Sequence, residues 1–245
     1  MAVGMNKPVK LLLVLAIFAA GAWALTRLPD PGHWAIELSP PDPASHRQTA
    51  LAELEARGLK AGMPVFIRIF KQTSELELWM KGARGWELAR RVDICRWSGR
   101  LGPKLKQGDR QAPEGFYTVT AGQLNPNSRH HLSFNLGFPN RFDRAHGRTG
   151  SFLMVHGGCT SAGCYAIRDH EVEVVYRLVE AALKAGQKQV DVHAFPFRLD
   201  RERLARYEGG KWHRFWTMLQ PAYDAFERER RVPDVKVAGK TYVVK

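Results

Sequence analysis

The sequence predicts a mainly β protein of the α+β class, with peripheral helices and a helical C-terminal extension. Three observations carry that expectation. Short β-favouring runs bounded by Gly, Pro or Asn recur from Met63 to His156. Past Asp169 the apolar spacing changes from alternation to helical periodicity. The 245 residues, 44% hydrophobic and 25% charged, suffice for one substantial core with attached elements.

Lys7 and Lys10 precede an uncharged run from Leu11 to Thr26, with Ala-Trp-Ala at 22–24. Residues 1–25 therefore read as a signal peptide, with an uncleaved anchor as the rival; either exports the body. Residues 26–62 read as a proline-rich linker and a short helix, HRQTALAELEAR, capped by Ser45 and ended by Gly58. VFIRIF (65–70) and ELELWM (75–80) flank the turn-prone KQTS and predict a hairpin. WELARRVDI, PEGFYTV, LSFNLGF and SFLMVH continue the strand series. Asp169 is placed to cap HEVEVVYRLVEAALKAG, where Val172, Val175, Val179 and Leu183 share a face; Gly186 ends it. QVDVHAFPF (189–197) is again a strand. DRERLARY and KWHRFWTMLQPAYDAFERER follow as helices, with Pro221 marking a kink or break in the second. VKVAGKTYVV predicts a small hairpin about Ala238–Lys240, and the tail aromatics are expected to pack a helix on the body rather than bind sugar.

A net charge of +13 suits an anionic envelope partner. The scattered basic residues and the export signal argue against nucleic acid. Cys95, Cys159 and Cys164 are an odd count, so pairing in an oxidising compartment leaves one thiol over.

HGGCTSAGCY (156–165) gathers two of those cysteines and a histidine on a glycine-rich loop. Three readings compete. Cys159–Cys164 would be a disulfide staple. Zinc would need a fourth ligand from His131, His146 or His193, and the spacing fits no standard zinc pattern. A nucleophilic Cys164 served by His156 needs only that the loop return the thiol to the end of the strand carrying the imidazole. Backbone N–H groups near Gly163 would then face an oxyanion. Cys95 is either a buried thiol or the partner of Cys159. His193 reads as structural.

HGGCTSAGCY resembles the signature of the L,D-transpeptidase (YkuD-type) catalytic domain. ICRWSGRLGPKLKQGDRQAPEGFYTV (94–119), NPNSRHHLSFNLGFPNRFDRAHGRTGS (125–151) and VHAFPFRL (192–199) resemble an exported sub-group of that family. The resemblance implies a β-sandwich catalytic domain over residues 63–199 and a helical extension over 200–245. It makes Cys164 the nucleophile, His156 the proton donor and acceptor, Gly163 the backbone oxyanion support and Ser161 an orienting group. The reaction it implies is attack on the meso-diaminopimelate carbonyl of peptidoglycan stem peptides through a thioester, without a cofactor or metal, in the Gram-negative periplasm. Cleavage of the diaminopimelate–lipoprotein amide is the specific expectation. Its rivals are transpeptidation, forming cross-links or attaching lipoprotein, and a non-catalytic wall-binding module. His131, Asn135, Arg141, His146, Arg148 and Arg168 are the expected substrate-binding residues. Two departures stand out: Ala162 replaces a second histidine, and Ala166 an arginine, for which Arg168 is the nearby substitute.

Overall fold

The computed structural model describes residues 42–245; the expected signal or anchor at 1–25 lies outside the described residues. Among the described residues, no helix is long and apolar enough to cross a membrane.

Nine strands form one sheet: β1 (Val65–Phe70), β2 (Glu75–Gly82), β3 (Gly85–Trp97), β4 (Gly115–Val119), β5 (Leu124–Ser128), β6 (His131–Asn135), β7 (Met154–His156), β8 (Tyr165–Ile167) and β9 (Val190–Phe195). Their order across the sheet is β4-β9-β1-β2-β3-β8-β7-β6-β5. The expected sandwich is built from this single sheet because β3 is long enough to serve both halves. It pairs with β2 up to Asp93 and with β8 from Ile94 to Trp97. One apolar cluster draws on both halves, from Ile67 and Leu78 to Phe134, Val155 and Ile167.

Strand β1 is buried along its whole length, hence its near-continuous apolar sequence. Its one charge, Arg68, is 1% exposed. The guanidinium lies 2.7 Å from Glu227 and 3.7 Å from Glu77, against the rings of Phe70, Tyr223 and Phe226.

Two helix-cap expectations are corrected, and one helix is additional. Helix α1 (Pro43–Ala56) starts earlier than predicted: Asp42, not Ser45, is its cap, and Ser45 N donates to the Asp42 carboxylate at 2.9 Å. Proline at the first helical position fits that start, since its missing N–H would be unpaired there anyway. A short helix α2 (Arg141–Ala145) precedes β7. Helix α3 (Asp169–Lys184) has the expected buried face, including Val172, Val175 and Val179. Yet Asp169 does not cap it; Arg168 holds the cap position without a side-chain bond, and the Asp169 carboxylate turns to the neighbouring loop.

After α4 (Arg201–Ala205), helix α5 (His213–Glu229) runs unbroken through Pro221. Pro221 is exposed, whereas Leu219, Ala222, Tyr223 and Phe226 are buried around it. That packing outweighs the ~3 kcal/mol an internal proline costs. Phe215, Trp216 and Tyr223 join Phe70, Phe195 and Phe197 in a second apolar cluster, so these tail aromatics are core residues. The closing hairpin, β10 (Val235–Ala238) with β11 (Thr241–Val244), forms as predicted, and Tyr242 enters the same cluster.

Candidate active site

Strands β7 and β8 run parallel, pairing Val155 with Tyr165 and His156 with Ala166. One step back, that register sets Cys164 beside Met154, whose N–H donates to Cys164 Sγ at 3.4 Å. The thiol faces the Phe152 carbonyl at 3.5 Å. By the pleat, Met154, His156 and Cys164 share a face. Sheet spacing puts the His156 and Cys164 Cα atoms roughly 8 Å apart. The two side chains make no hydrogen bond to each other among the described contacts, and such bonds often tighten only when substrate arrives.

The cysteine alternatives are resolved. Cys95 and Cys159 form a disulfide, and Cys164 is the free, partly buried thiol. The Cys159–Cys164 staple is excluded, and Cys159 as a thiolate ligand with it. One His/acid cluster among the described residues, His46, His170 and Glu171, has ligand atoms within 4.8 Å of one another. Arg90 already fills it, bonded to both Glu171 oxygens at 3.0 and 3.1 Å and 3.2 Å from His46 Nε2.

His156 is 4% exposed, and its Nδ1 lies 2.6 Å from the Gly157 carbonyl. A carbonyl only accepts, so Nδ1 carries the proton and the neutral ring keeps its lone pair on Nε2, the tautomer a general base requires. Burial pushes His156 below the usual histidine range, and the neighbouring His130 adds to this against the Gly157 bond. Burial pushes the Cys164 thiol up, with the Met154 N–H and the charge of Lys104 opposing. Both shifts favour the uncharged forms, a thiol and a neutral imidazole.

The approach to the thiol is shaped by glycine. Gly163 has φ +129°, and a Cβ there would stand 3.2 Å from Leu153. Its N–H points to Ser161 Oγ at 3.3 Å, so it would reach an oxyanion only on giving up that long contact. Ser161 Oγ donates to the Cys164 carbonyl at 2.7 Å, tying the loop on itself. Phe152 is 71% exposed at φ +56°, an uncommon conformation for a bulky residue.

The six expected substrate-binding residues scatter. Asn135 pairs with Met154 across β6–β7, but its Oδ1 accepts from Gly137 N at 2.9 Å within a turn. Arg141 and Arg168 are exposed. Three already hold partners within the fold. His131 Nε2 sits 2.8 Å from Glu173 on α3, because φ +65° turns it away from its neighbour. His130 is the histidine that lies on His156, ring centroids 4.6 Å apart. His146 Nε2 meets the Lys240 carbonyl at 3.1 Å and its ring lies on Phe142. Arg148 is 7% exposed, donating to Asp143 at 2.8 Å between the rings of Phe142 and Phe215. It is part of the core.

GDRQAPEG, indistinguishable in sequence from a plain connector, flanks the site. Asp109 takes the N–H groups of Leu105, Lys106 and Gln111 and pairs with Lys104, and a Cβ at Gly163 would lie 3.6 Å from the Gln111 carbonyl. With no hydrophobic period, that segment gave no signal for which side chains turn inward.

No family model matches the chain. It is 44% identical over 183 residues, covering 75% of this chain and 74% of the relative, to a protein of Escherichia coli (strain K12) named "Putative L,D-transpeptidase YafK", and equally to its counterpart in Escherichia coli O157:H7. Similar solved structures include the helical cell shape determining protein Pgp2 from Campylobacter jejuni. Two of its structures are 17% and 16% identical, with TM-scores of 0.46 and 0.44; they cover 76% and 79% of this chain and 65% and 80% of their own. The chain belongs to the L,D-transpeptidase family, on the strength of the Escherichia coli relatives.

Proposed function

We propose that the protein is a cysteine acyl-transfer enzyme of the bacterial periplasm acting on peptidoglycan stem peptides. The observation that carries this is the free thiol of Cys164 beside the strand of His156, whose Nδ1 is engaged by the Gly157 carbonyl so that Nε2 is a base. A wall-binding module has no need of that tautomer.

In the first half-reaction Nε2 of His156 takes the Cys164 proton, and the sulfur adds to the meso-diaminopimelate carbonyl. Backbone N–H groups at Gly163 and Cys164 serve the oxyanion, with Ser161 orienting their loop. The tetrahedral adduct collapses, the C–N bond breaks, and the amine leaves with the proton from the imidazolium. Water then adds to the thioester, giving up its proton to His156; the C–S bond breaks, releasing the acid and restoring the thiol. With an amine in place of water, the same steps form a new amide.

Hydrolysis of the diaminopimelate–lipoprotein link is the favoured outcome, on the blocks shared with the exported sub-group. Transfer, forming cross-links, is the second reading, favoured by the printed name of the Escherichia coli relatives. Incubation of the full chain with lipoprotein-bearing sacculi, followed by mass analysis, separates them: free lipoprotein supports hydrolysis, and new diaminopimelate–diaminopimelate links support transfer. If wild-type protein releases neither product and Cys164→Ala leaves the sacculus digest identical, both readings are overturned and the binding module is left.

A further inference from the structure

We infer that Asp169 is the positioning residue of the base, fixing His156 through the Gly157–Gly158 peptide that lies between them. This rests on the acyl-transfer reading above and adds a residue to it. The Asp169 carboxylate accepts a hydrogen bond from Gly158 N at 2.7 Å, and the carbonyl of the same peptide unit, that of Gly157, stands 2.6 Å from His156 Nδ1. In a trans peptide the N–H and C=O point in opposite directions. One acceptor on the N–H side therefore sets where the carbonyl aims on the other.

That control is needed because the peptide joins two glycines, and Gly158 sits at φ +71°. With no Cβ on either side, the plane can rotate at small steric cost and turn the carbonyl away from the ring. The other anchors of the loop do not prevent this. Gly157 N donates to the Leu132 carbonyl at 3.1 Å, but that N–H belongs to the preceding peptide. The Cys95–Cys159 disulfide acts one residue further along. Among the described contacts, Asp169 alone holds the N–H of this unit.

The surrounding packing shows how closely the carboxylate approaches. A Cβ at Gly157 would fall 2.6 Å from Asp169 Oδ1, 2.6 Å from the His130 carbonyl and 3.0 Å from Val172 Cγ1. Asp169 opens α3 yet leaves that helix's own N–H groups, so its contact with the loop is not a by-product of capping. The carboxylate also polarises the peptide, making its carbonyl a better acceptor for the imidazolium formed in each half-reaction.

The test uses the full chain as Asp169→Ala and Asp169→Asn. Asparagine keeps an oxygen for Gly158 N; alanine does not. The readouts are kcat and KM on muropeptides, the pH dependence of Cys164 alkylation by iodoacetamide, and the melting temperature. The groups near His156 are His130, its ring tilted against the imidazole, and Cys164 just before β8, with Asp169 behind the peptide. For Asp169→Ala we expect kcat to fall about 10- to 100-fold at little-changed KM, the range a misplaced base produces. The histidine-dependent limb of the alkylation profile moves to lower pH, because the ring loses its acceptor. Asp169→Asn retains kcat within about threefold. Wild-type kcat and an unmoved limb in Asp169→Ala overturn the assignment, whether or not the melting temperature drops; so do equal losses in both variants with the limb unmoved. Alkylation needs no turnover, so it tests the role of Asp169 even if the muropeptide assay shows the acyl-transfer reading to be wrong.

Discussion

Replacing Lys71 with Met removes an ammonium that the fold keeps wholly out of water. Its Nζ donates to the carbonyls of Arg100 at 2.8 Å, Gly102 at 2.9 Å and Ala112 at 3.1 Å, and lies 3.0 Å from Glu114 Oε1. Both side chains are 0% exposed. Glu114 also accepts from Gly102 N at 2.7 Å and Trp216 Nε1 at 2.8 Å. Burial pulls Lys71 below the usual lysine range, with Glu114 opposing, so the pair stands where each charge depends on the other. Breaking such a pair from one side costs about 3–5 kcal/mol, because the partner is left charged in the interior. Lys71→Met and Glu114→Gln should each lose about that much. The double variant leaves no isolated charge, and Gln111 Nε2 already donates to the Arg100 and Gly102 carbonyls at 2.6 and 2.7 Å. Its loss should therefore fall short of the sum by about 2 kcal/mol. Urea denaturation followed by tryptophan fluorescence, with the slope checked for constancy, measures all four proteins. Single losses below about 1 kcal/mol, or a double variant additive within about 0.5 kcal/mol, refute the reasoning. Because this node holds the loop that presents Gln111 to Gly163, the single variants should also alkylate more slowly at Cys164.

Three further outcomes are expected. With the thiol raised and the imidazole lowered, Cys164 alkylation should still be climbing above about pH 8.5; a plateau near pH 6 would mean a preformed thiolate–imidazolium pair. His193 is 3% exposed, with Phe66 and Phe116 against its ring. It is pushed down to about 3 by burial and then by Arg68. The unfolded chain, titrating near pH 6.5, binds the extra proton between those values. Stability is therefore intact above about pH 6.5 and falls as pH drops, by at most about 1.4 kcal/mol per unit, and melting curves of His193→Gln should show a shallower slope if this holds. Reducing Cys95–Cys159, which closes a 64-residue separation, should lower stability by about 4 kcal/mol on the chain-entropy account; a change under about 1 kcal/mol in paired denaturation curves argues against it.

The strands, the amphipathic face of α3 and the final hairpin were legible because each is written in local periodicity and turn residues. The free thiol and the neighbouring histidine strand were legible as a candidate site because HGGCTSAGCY is short and its chemistry is carried by few residues. What sequence could not supply is direction. His130 and His131 are adjacent, and only the left-handed backbone at His131 decides that the first meets His156 and the second Glu173. Arg148 looks like a surface cation until Asp143, five residues earlier, is seen beneath it. Asp169 fits the rule for a helix cap, yet the loop outcompetes the helix for its carboxylate. Pro221 obeys the rule for a break, and burial of four neighbours overrides it. In each case a local preference is real and a tertiary contact of larger energy redirects it.

The disulfide has a consequence for how the protein is made. Cys95 is synthesised well before either possible mate, and Cys159 and Cys164 then emerge five residues apart on a loop rich in glycine. During oxidation both thiols are within reach of the waiting sulfur. A molecule joined through Cys164 has the same mass as the native one, and the thiol proposed as nucleophile is consumed. Thiol titration of each preparation, followed by peptide mapping of the labelled cysteine, counts those inert molecules, and thiol–disulfide reshuffling should convert them to working ones.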